Sequence, residues 1–225
     1  MGAEMNDKKI SFIYCTNDGM LYEESAAYIR SLTVPDGYEI ELISIEGASS
    51  MTAGYNEAMR RSDAKYKVYL HQDVFIIHSH FIYDMLSLFR NNANIGMLGV
   101  IGARTIPANG IWWESGDKVG KVYDSHQGNM QLILAHEVSR EYGMVQVVDG
   151  LLMVTQYDLP WREDLFQGWH FYDVSQCMEF AKAGYAVAVP KQEKPWCLHD
   201  SGIAKTGLAF AVARKLFCHT YLNSK

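Results

Sequence analysis

The fold of this chain is decided by an apolar stretch that ends in a carboxylate, Tyr66-Lys67-Val68-Tyr69-Leu70-His71-Gln72-Asp73. The run up to Leu70 is typical of a buried strand. Asp73 stands just past the end of that run, where a buried charge costs free energy unless it is paired or binds something. In an open α/β sheet, ligands bind at the carboxyl ends of the strands. The stretch therefore predicts a binding site centred on Asp73.

Strands and helices are predicted to alternate over the first hundred residues. Apolar runs predict strands at 10–15, 38–45, 66–71 and 95–103, and helical spacing predicts helices at 23–32, 52–62 and 80–90. Such alternation is typical of a mostly parallel, doubly wound sheet with right-handed crossovers. The expected fold class is therefore α/β, a mostly parallel doubly wound sheet with a small antiparallel portion.

The alternation stops near Arg104. Residues 104–145 contain turns and the pair Trp112-Trp113, and they are predicted to cross over the sheet with one short strand near 121–123. An excursion of this length in a compact domain is usually functional or partly disordered. Beyond it, strands are predicted at 145–155 and 186–189, and helices at 172–183, which Gly184 ends, and at 204–217.

Composition excludes several classes of function. A chain of 225 residues that is 48% hydrophobic supports one domain with a sizeable core. Its net charge of −6 argues against a nucleic-acid surface, which needs clustered Lys and Arg. The same charge is compatible with a nucleotide sugar, because a metal ion can supply positive charge locally. No apolar run approaches the roughly 18 residues that span a bilayer, so no membrane span is expected.

The protein is expected to be cytoplasmic. Residues 1–9 are polar and charged and match neither a signal peptide nor an anchor. None of the cysteines forms a CxxC pair, and reduced thiols are expected. They are Cys15, Cys177, Cys197 and Cys218.

Three carboxylates lie where predicted strands or helices begin, end or break. Asp73 shares a strand face with His71, because side chains alternate with a period of two, and a carboxylate is a hard ligand for a metal ion. Asp173 stands at the start of a helix, as either a catalytic base or an N-terminal cap. Asp149 and Gly150 interrupt an apolar strand, which indicates either close approach to a ligand or an ordinary hairpin turn.

Histidines supply further candidate ligands. His199 lies in a predicted loop over 195–202, and it is either a metal ligand or a surface residue. The nearby Cys197 has no second cysteine at ligand spacing, so a zinc site is not expected. His78 and His80 fall at the start of a helix and are not expected to form a metal cluster.

In this order, the segments resemble the family 2 glycosyltransferases, and among them a bacterial branch with a His-Gln-Asp element. The resemblance covers roughly residues 10–202. It implies a single GT-A domain, the nucleotide-diphosphosugar transferase fold, over residues 1–225. Within it, residues about 10–103 would bind the nucleotide, about 104–202 would hold the acceptor and catalytic groups, and about 203–225 would form a C-terminal helix.

The resemblance implies roles for individual residues. Donor and nucleotide binding falls on Thr16, Asn17, Asp18, Glu46, Asn56 and Asp73. Acceptor or sugar binding falls on Asp149, Gly150, Trp113, Trp169 and His170. Metal binding falls on Asp73 and His199, with His71 as a further candidate. The chain departs from the family pattern at His71 and Tyr172, which stand where that family carries acids, and at Glu46, where the family commonly carries an Asp. A histidine at the first position predicts weaker and more pH-dependent metal binding.

The implied activity is an inverting, metal-assisted transfer of a sugar from a nucleotide-diphosphosugar, with a UDP-sugar as the expected donor, to a hydroxyl of a saccharide or another acceptor. Asp173 would be the catalytic base and Mn²⁺ or Mg²⁺ the cation. Two alternatives stay open. One is a catalytically silent nucleotide-sugar binding protein, which the departures at His71 and Tyr172 would suit. The other is a nucleotidyltransferase or metal-dependent hydrolase on a related sheet.

Overall fold

A computed structural model of the protein describes residues 5–203 and 206–223. The α-helices are α1 (Gly19–Arg30), α2 (Met51–Arg61), α3 (Phe81–Asn91), α4 (Tyr172–Lys182) and α5 (Leu208–Phe217). The first strands are β1 (Asn6–Thr16), β2 (Glu39–Glu46), β3 (Ala64–Leu70), β4 (Val74–Ile76), β5 (Ile95–Gly99) and β6 (Ile101–Ala103). The later strands are β7 (Lys118–Asp124), β8 (Gln131–Leu134), β9 (Tyr142–Val145), β10 (Val147–Val148), β11 (Leu152–Thr155), β12 (Ala186–Pro190) and β13 (Cys197–His199).

The larger sheet has the strand order β2-β1-β3-β11-β5-β12-β9. Its parallel pairs are β1 with β2, β1 with β3, and β5 with β12, whereas β11 and β9 pair antiparallel to their neighbours. All strands of this sheet except β11 and β9 therefore run in one direction. The predicted α/β class with a mostly parallel sheet is confirmed, and the early helices begin and end within a few residues of the predicted positions.

A second sheet, in the order β10-β6-β7-β13-β4 with β8 beside β7, lies at the carboxyl end of β3. Its pairs are antiparallel except that of β7 with β13. Two single strands expected from the sequence are each divided between the sheets. The strand expected at 95–103 breaks at Val100, and that expected at 145–155 breaks at Asp149-Gly150. Residues on both sides of each break are buried, so hydrophobicity does not mark the change of sheet.

The excursion after Arg104 is more regular than predicted. The short strand expected near 121–123 is present as β7, but β8 and β9 also form within residues 104–145, and Trp112–Glu114 is a 3₁₀ turn. The sequence-based prediction missed β8 and β9, which have only four residues each, and in β8 half-buried and exposed residues alternate. These strands place one wall beside the carboxyl end of β3.

The C-terminal helix begins later than predicted. α5 starts at Leu208 and is followed by a π-helical turn, Cys218–Leu222, whereas the predicted positions Ala204 and Lys205 lie outside the described residues. Across 5–203 and 206–223, no helix is both long and apolar enough to cross a membrane. The four cysteines are free thiols in the structure.

Candidate active site

The turn after β3 and the neighbouring strand β13 bring together three side chains that could hold a metal ion. Antiparallel pairing of β13 with β4 sets His199 opposite Val74 and therefore beside His71 and Asp73. His199 Nε2 lies 3.4 Å from Asp73 Oδ1 and 3.4 Å from His71 Nδ1. One ligand atom from each of these residues falls within 4.8 Å of the others. His199 lies in a strand rather than in the loop that the sequence suggested.

The backbone holds this turn rigidly. The His71 N–H donates to the Leu151 carbonyl at 3.1 Å, and the Asp200 N–H donates to the Asp73 carbonyl at 2.9 Å. The turn is thus fixed to β11 on one side and to the end of β13 on the other. Asp73 Oδ1 is buried and makes no hydrogen bond among the described residues, and its close contact is an ion pair with His199 Nε2 at 3.4 Å. A buried carboxylate oxygen that accepts no hydrogen bond costs free energy, which a bound cation would offset.

Both imidazoles are oriented by a second partner on their outer nitrogen. His199 Nδ1 lies 2.8 Å from Asp124 Oδ2, so its Nε2 is the nitrogen that faces Asp73. His71 Nε2 hydrogen-bonds the Tyr172 hydroxyl, which leaves Nδ1 facing the cluster. A metal-binding histidine in proteins almost always has such an outer partner, which fixes the ring and its tautomer. The two rings are therefore pre-arranged with one free nitrogen each towards Asp73.

The pKa values in the cluster follow from burial and from the two carboxylates. Burial lowers the pKa of His199, but the hydrogen bond to Asp124 and the ion pair with Asp73 outweigh it and raise that pKa to about 10. Burial and the neighbouring His199 lower the pKa of His71 to about 4. Burial opposes ionisation of Asp124, yet its bonds to His199 and to the His126 backbone lower its pKa to about 2. At neutral pH, His71 is a neutral ligand whereas His199 carries a proton that a metal would displace.

These residues fit a divalent cation. Two imidazole nitrogens and one carboxylate oxygen form a mixed donor set, and Asp73 Oδ1, which accepts no hydrogen bond among the described residues, supplies the charge. Mn²⁺ and other first-row divalent ions accept imidazole with carboxylate, while Mg²⁺ prefers oxygen ligands. The fit therefore extends to a metal ion but favours one that tolerates nitrogen.

Asp173 lies on the same cavity and accepts a hydrogen bond of 3.1 Å from the Gly150 N–H. Burial, with the charge of Asp149 second, raises the pKa of Asp173 to about 7. The helix-cap alternative does not fit its position, because the residue that precedes α4 is Phe171 and no side chain caps this end. Phe171 has φ of 63°, the one non-glycine residue with positive φ among residues 5–203 and 206–223. Strain of this kind is often found at functional sites.

Asp149 and Gly150 form a close-packed link rather than a hairpin. They connect β10 of the smaller sheet to β11 of the larger, and Asp149 Oδ1 accepts from the Leu151 N–H at 2.9 Å. A Cβ on Gly150 would lie 2.2 Å from the Tyr172 hydroxyl and 2.9 Å from Asp173 Cβ. Glycine at this position is therefore required for Tyr172 and Asp173 to approach the link.

A cavity of about 660 Å³ opens beside the cluster. This volume is within the usual range for small-molecule sites. Among the predicted site residues, the cavity is lined by His71, Trp113, Asp149, Trp169, His170, Asp173 and His199. The structure thus brings the predicted base, both candidate histidine ligands and four of the predicted acceptor residues to one cavity, whereas Gly150 and Asp73 do not line it.

The predicted nucleotide residues lie outside this cavity, and several have structural partners. The Asn17 and Asp18 N–H groups donate to Gln72 Oε1 at 2.9 and 3.1 Å, so the loop after β1 is tied to the turn that carries Asp73. The Asp18 side chain caps α1. The Asn56 amide exchanges two 2.8 Å hydrogen bonds with the Trp161 backbone.

The remaining two nucleotide candidates end adjacent strands. Thr16 Oγ1 lies 2.7 Å from Ser44 Oγ at the ends of β1 and β2. Glu46 is exposed and lines a separate cavity of about 310 Å³ beside α2. These two residues therefore lie at the carboxyl ends of β1 and β2, and neither lines the larger cavity.

The sequence analysis missed two residues of the site. Asp124 orients His199 from 75 positions away in the chain, and Gln72 ties the loop after β1 to the cluster. A signal for Asp124 existed, because it ends the strand predicted near 121–123, as Asp73 follows β3. Tyr172 was noted only as a replacement for an acid, whereas its hydroxyl orients His71.

Comparison with known proteins agrees with this geometry. Residues 11–221 match the model of a family described as "Glycosyltransferase like family". The chain belongs to this glycosyltransferase-like family. Among curated protein sequences, none matches the chain significantly. The predicted resemblance to glycosyltransferases is confirmed.

Solved structures share the fold at low sequence identity. A mannosyltransferase, PcManGT from Pyrobaculum calidifontis in complex with GDP-Man and Mn²⁺, is 12% identical with a TM-score of 0.57, covering 90% of this chain and 59% of that one. S. aureus TarS 1-349 is 11% identical with a TM-score of 0.58, covering 86% and 60%. GalNAc-T7 with UDP, GalNAc and Mn²⁺ is 9% identical with a TM-score of 0.60, covering 94% and 48%. This chain thus spans about half to three fifths of their length, and the shared fold is GT-A.

Proposed function

We propose that this family member is an inverting glycosyltransferase that moves a sugar from a nucleotide-diphosphosugar to an acceptor hydroxyl. The observation that carries the proposal is the shared cavity. Asp173, with a pKa of about 7, lines the same space as His71 and His199, which form the candidate cation group with the buried Asp73 carboxylate. A base and a cation site facing one cavity are the two elements that such a transfer needs.

Asp173 is the proposed base. It takes the proton of the acceptor hydroxyl as that oxygen forms a bond to the anomeric carbon of the sugar. The bond from the anomeric carbon to the diphosphate breaks in the same displacement, and the electron pair leaves with the nucleoside diphosphate. A carboxylate with a pKa of about 7 suits this role, because a base works best when its pKa is close to the working pH.

Asp73, His71 and His199 are the proposed ligands of a divalent cation. When bound, the cation neutralises the charge that develops on the leaving diphosphate. The mixed donor set favours Mn²⁺ over Mg²⁺. Two of the structurally similar proteins were solved with Mn²⁺, which supports the same choice.

The donor nucleotide is proposed to lie at the carboxyl ends of β1 and β2, near Asn17, Asp18 and Glu46, with a UDP-sugar as the first donor to test. Gln72 links this side to the cluster, because it holds the loop after β1 through the backbone of Asn17 and Asp18. A movement of that loop would therefore displace Gln72 and, with it, the adjacent Asp73.

A thermal-shift screen of UDP- and GDP-sugars with and without Mn²⁺ tests the proposal. A ligand that binds only the folded state raises Tm by mass action. We expect one nucleotide sugar to raise Tm more with Mn²⁺ than without it, and Asp73→Asn to remove the Mn²⁺-dependent part while leaving circular dichroism unchanged. An equal Mn²⁺-dependent shift in both proteins would remove Asp73 from the site. Binding without turnover over a panel of acceptors would favour a silent binding protein, and hydrolysis without any acceptor would favour a hydrolase.

A further inference from the structure

We propose that the acceptor is a neutral amphiphile, whose reactive hydroxyl is attached to an apolar group that lies along the cavity wall. This inference rests on the proposed function, since it names the substrate class of the same site. It comes from how polar and apolar side chains are distributed around the cavity.

The acids and imidazoles that line the cavity form one connected group. His71 contacts His199 at 3.4 Å, and His199 contacts Asp124 at 2.8 Å. Asp173 joins this group through Gly150 and the adjacent Tyr172, whose hydroxyl bonds His71. The reacting hydroxyl must therefore come to this part of the cavity.

The rest of the cavity wall is largely apolar and includes large side chains that remain open to solvent. Those that remain partly or largely open are Trp113, Ile133, Leu134, Trp169 and Phe210, whereas Ile101, Trp112, Val122 and Phe171 line the cavity from the buried core. Trp113 is 43% exposed, Trp169 50% and Leu134 55%. Large apolar side chains exposed together around a cavity mark a binding surface, because covering them removes apolar area from water.

Helix α5 completes this wall. The ring of Phe210 lies 5.6 Å from Trp113, 5.5 Å from His170 and 5.2 Å from Phe171, measured between centroids. The wall is thus built from the 104–145 excursion, the segment before α4 and the C-terminal helix. These three segments are distant in sequence, yet each contributes an aromatic ring to one surface. Burying one face of α5 alone would not require rings from all three.

The charges argue for a neutral acceptor. Among the described residues that line the cavity, Lys118 is the only lysine or arginine, and its Nζ donates to the Trp113 carbonyl at 2.7 Å. Asp124 is paired with the protonated His199 at 2.8 Å, but Asp149 and Asp173 lie on the same cavity with no ion pair among the described residues, and when ionised they would repel a phosphate or carboxylate. An apolar body with an uncharged hydroxyl therefore fits both the wall and the charge.

A series of n-alkyl β-D-glucosides, from methyl to octyl and below their micellar concentrations, tests this by isothermal titration calorimetry. We expect affinity to rise roughly two- to fourfold for each added methylene, the range that partial to full burial of a CH₂ gives. Affinity that does not change with chain length would overturn the proposal.

Two glutamate substitutions distinguish binding at this wall from non-specific binding to apolar surface elsewhere. Leu134→Glu should lower octyl glucoside affinity at least tenfold. Met144→Glu should leave it unchanged, because Met144 is similarly exposed at 49% on another strand and does not line the cavity. Equal losses in both variants would contradict the proposal. Leu134→Ala, which adds no charge, serves if Leu134→Glu fails to fold, and it should lower octyl affinity while sparing the methyl glucoside.

A parallel titration with UDP-sugar and Mn²⁺ distinguishes failure of the amphiphilic acceptor from failure of the proposed transferase. Alkyl-chain dependence without any nucleotide-sugar binding would keep the apolar site and overturn the proposed transferase. Nucleotide-sugar binding without alkyl-chain dependence would overturn only the amphiphilic acceptor.

Discussion

Asp124 Oδ2 lies 2.8 Å from His199 Nδ1, and this contact turns the opposite nitrogen of the ring towards Asp73. The Asp124 side chain is itself held, because its Oδ1 accepts from the His126 N–H at 2.7 Å and from the Ser201 hydroxyl at 3.4 Å. Of the three proposed ligands, His199 is the one that Asp124 hydrogen-bonds, so its contribution to metal binding would pass through the orientation and basicity of that ring. It is therefore a positioning residue.

The first prediction is that Asp124→Asn weakens Mn²⁺ binding by about 10–100-fold, the usual effect of removing an outer partner of a metal-binding histidine. Electron paramagnetic resonance of free Mn²⁺ measures this without any assay of activity. Asp84→Asn is the matched control, because Asp84 Oδ2 lies 2.6 Å from His78 Nε2 in an Asp–His pair away from the cavity. Unchanged Mn²⁺ affinity in Asp124→Asn would show that His199 is not held for a metal.

The second prediction concerns pH. Because the pKa of His199 is raised to about 10, its ring is protonated at neutral pH and Mn²⁺ must displace a proton. Affinity should therefore tighten by up to about tenfold per pH unit between about pH 6 and 8.5. His71 should add little to this slope, since its pKa is lowered to about 4. Titrations of Mn²⁺ at several pH values check both, and a flat profile would exclude His199 as a ligand.

Much of the fold could be predicted because the strands that alternate with helices are apolar and continuous. β1 and β3 are buried on both faces, so their sequences differ sharply from the polar turns around them. The second sheet could not be predicted. β5 and β6 are buried throughout, and the change of partner at Val100 depends on long-range pairing with β11 and β7. Local sequence does not encode such pairing.

Part of the site could be predicted for a similar reason. Asp73 and Asp173 each stand next to an apolar segment, where a charged residue is easy to recognise. Asp73 belongs to the group of candidate metal ligands, and Asp173 lines the cavity beside it. The pH dependence was expected from His71, but the raised pKa belongs to His199, because spatial contacts with Asp124 and Asp73 raise the pKa of that ring. Asn56 matched a family position, yet its amide is fully engaged with the Trp161 backbone.

The third prediction is that Gly150→Ala damages the site while an unhindered glycine does not. A Cβ at Gly150 would lie 2.2 Å from the Tyr172 hydroxyl, so Tyr172 and α4 would have to shift. We expect a loss of about 1–3 kcal/mol in the free energy of unfolding, as for overpacked cores, together with weaker Mn²⁺ binding. Gly116→Ala is the control, since nothing lies within 4 Å of the position that its Cβ would take. Urea denaturation measures the free energy of unfolding of both variants. Equal values for Gly150→Ala and Gly116→Ala would contradict the close packing at Gly150.

The last prediction concerns Asp173 and separates an enzyme from a binding protein. Asp173→Asn should lower kcat by a factor on the order of 10²–10⁴, because a base is needed in the transition state. Donor affinity should barely change, since no ground-state contact to the donor is lost. The Asn side chain can still accept the Gly150 hydrogen bond through its amide oxygen. Asp164→Asn, an exposed carboxylate paired with Arg162, is the control and should leave kcat unchanged.

The pH dependence of stability checks the same substitution independently of any substrate. The pKa of Asp173 is raised above its unfolded value, so the folded protein holds this proton more tightly than the unfolded chain does. Its contribution to stability is complete below about pH 4 and is lost as pH rises through about 7. The free energy of unfolding of Asp173→Asn, relative to that of the wild type, should therefore be higher at pH 8 than at pH 4. A mutant with full transferase activity and an unchanged pH profile of stability would place the base elsewhere.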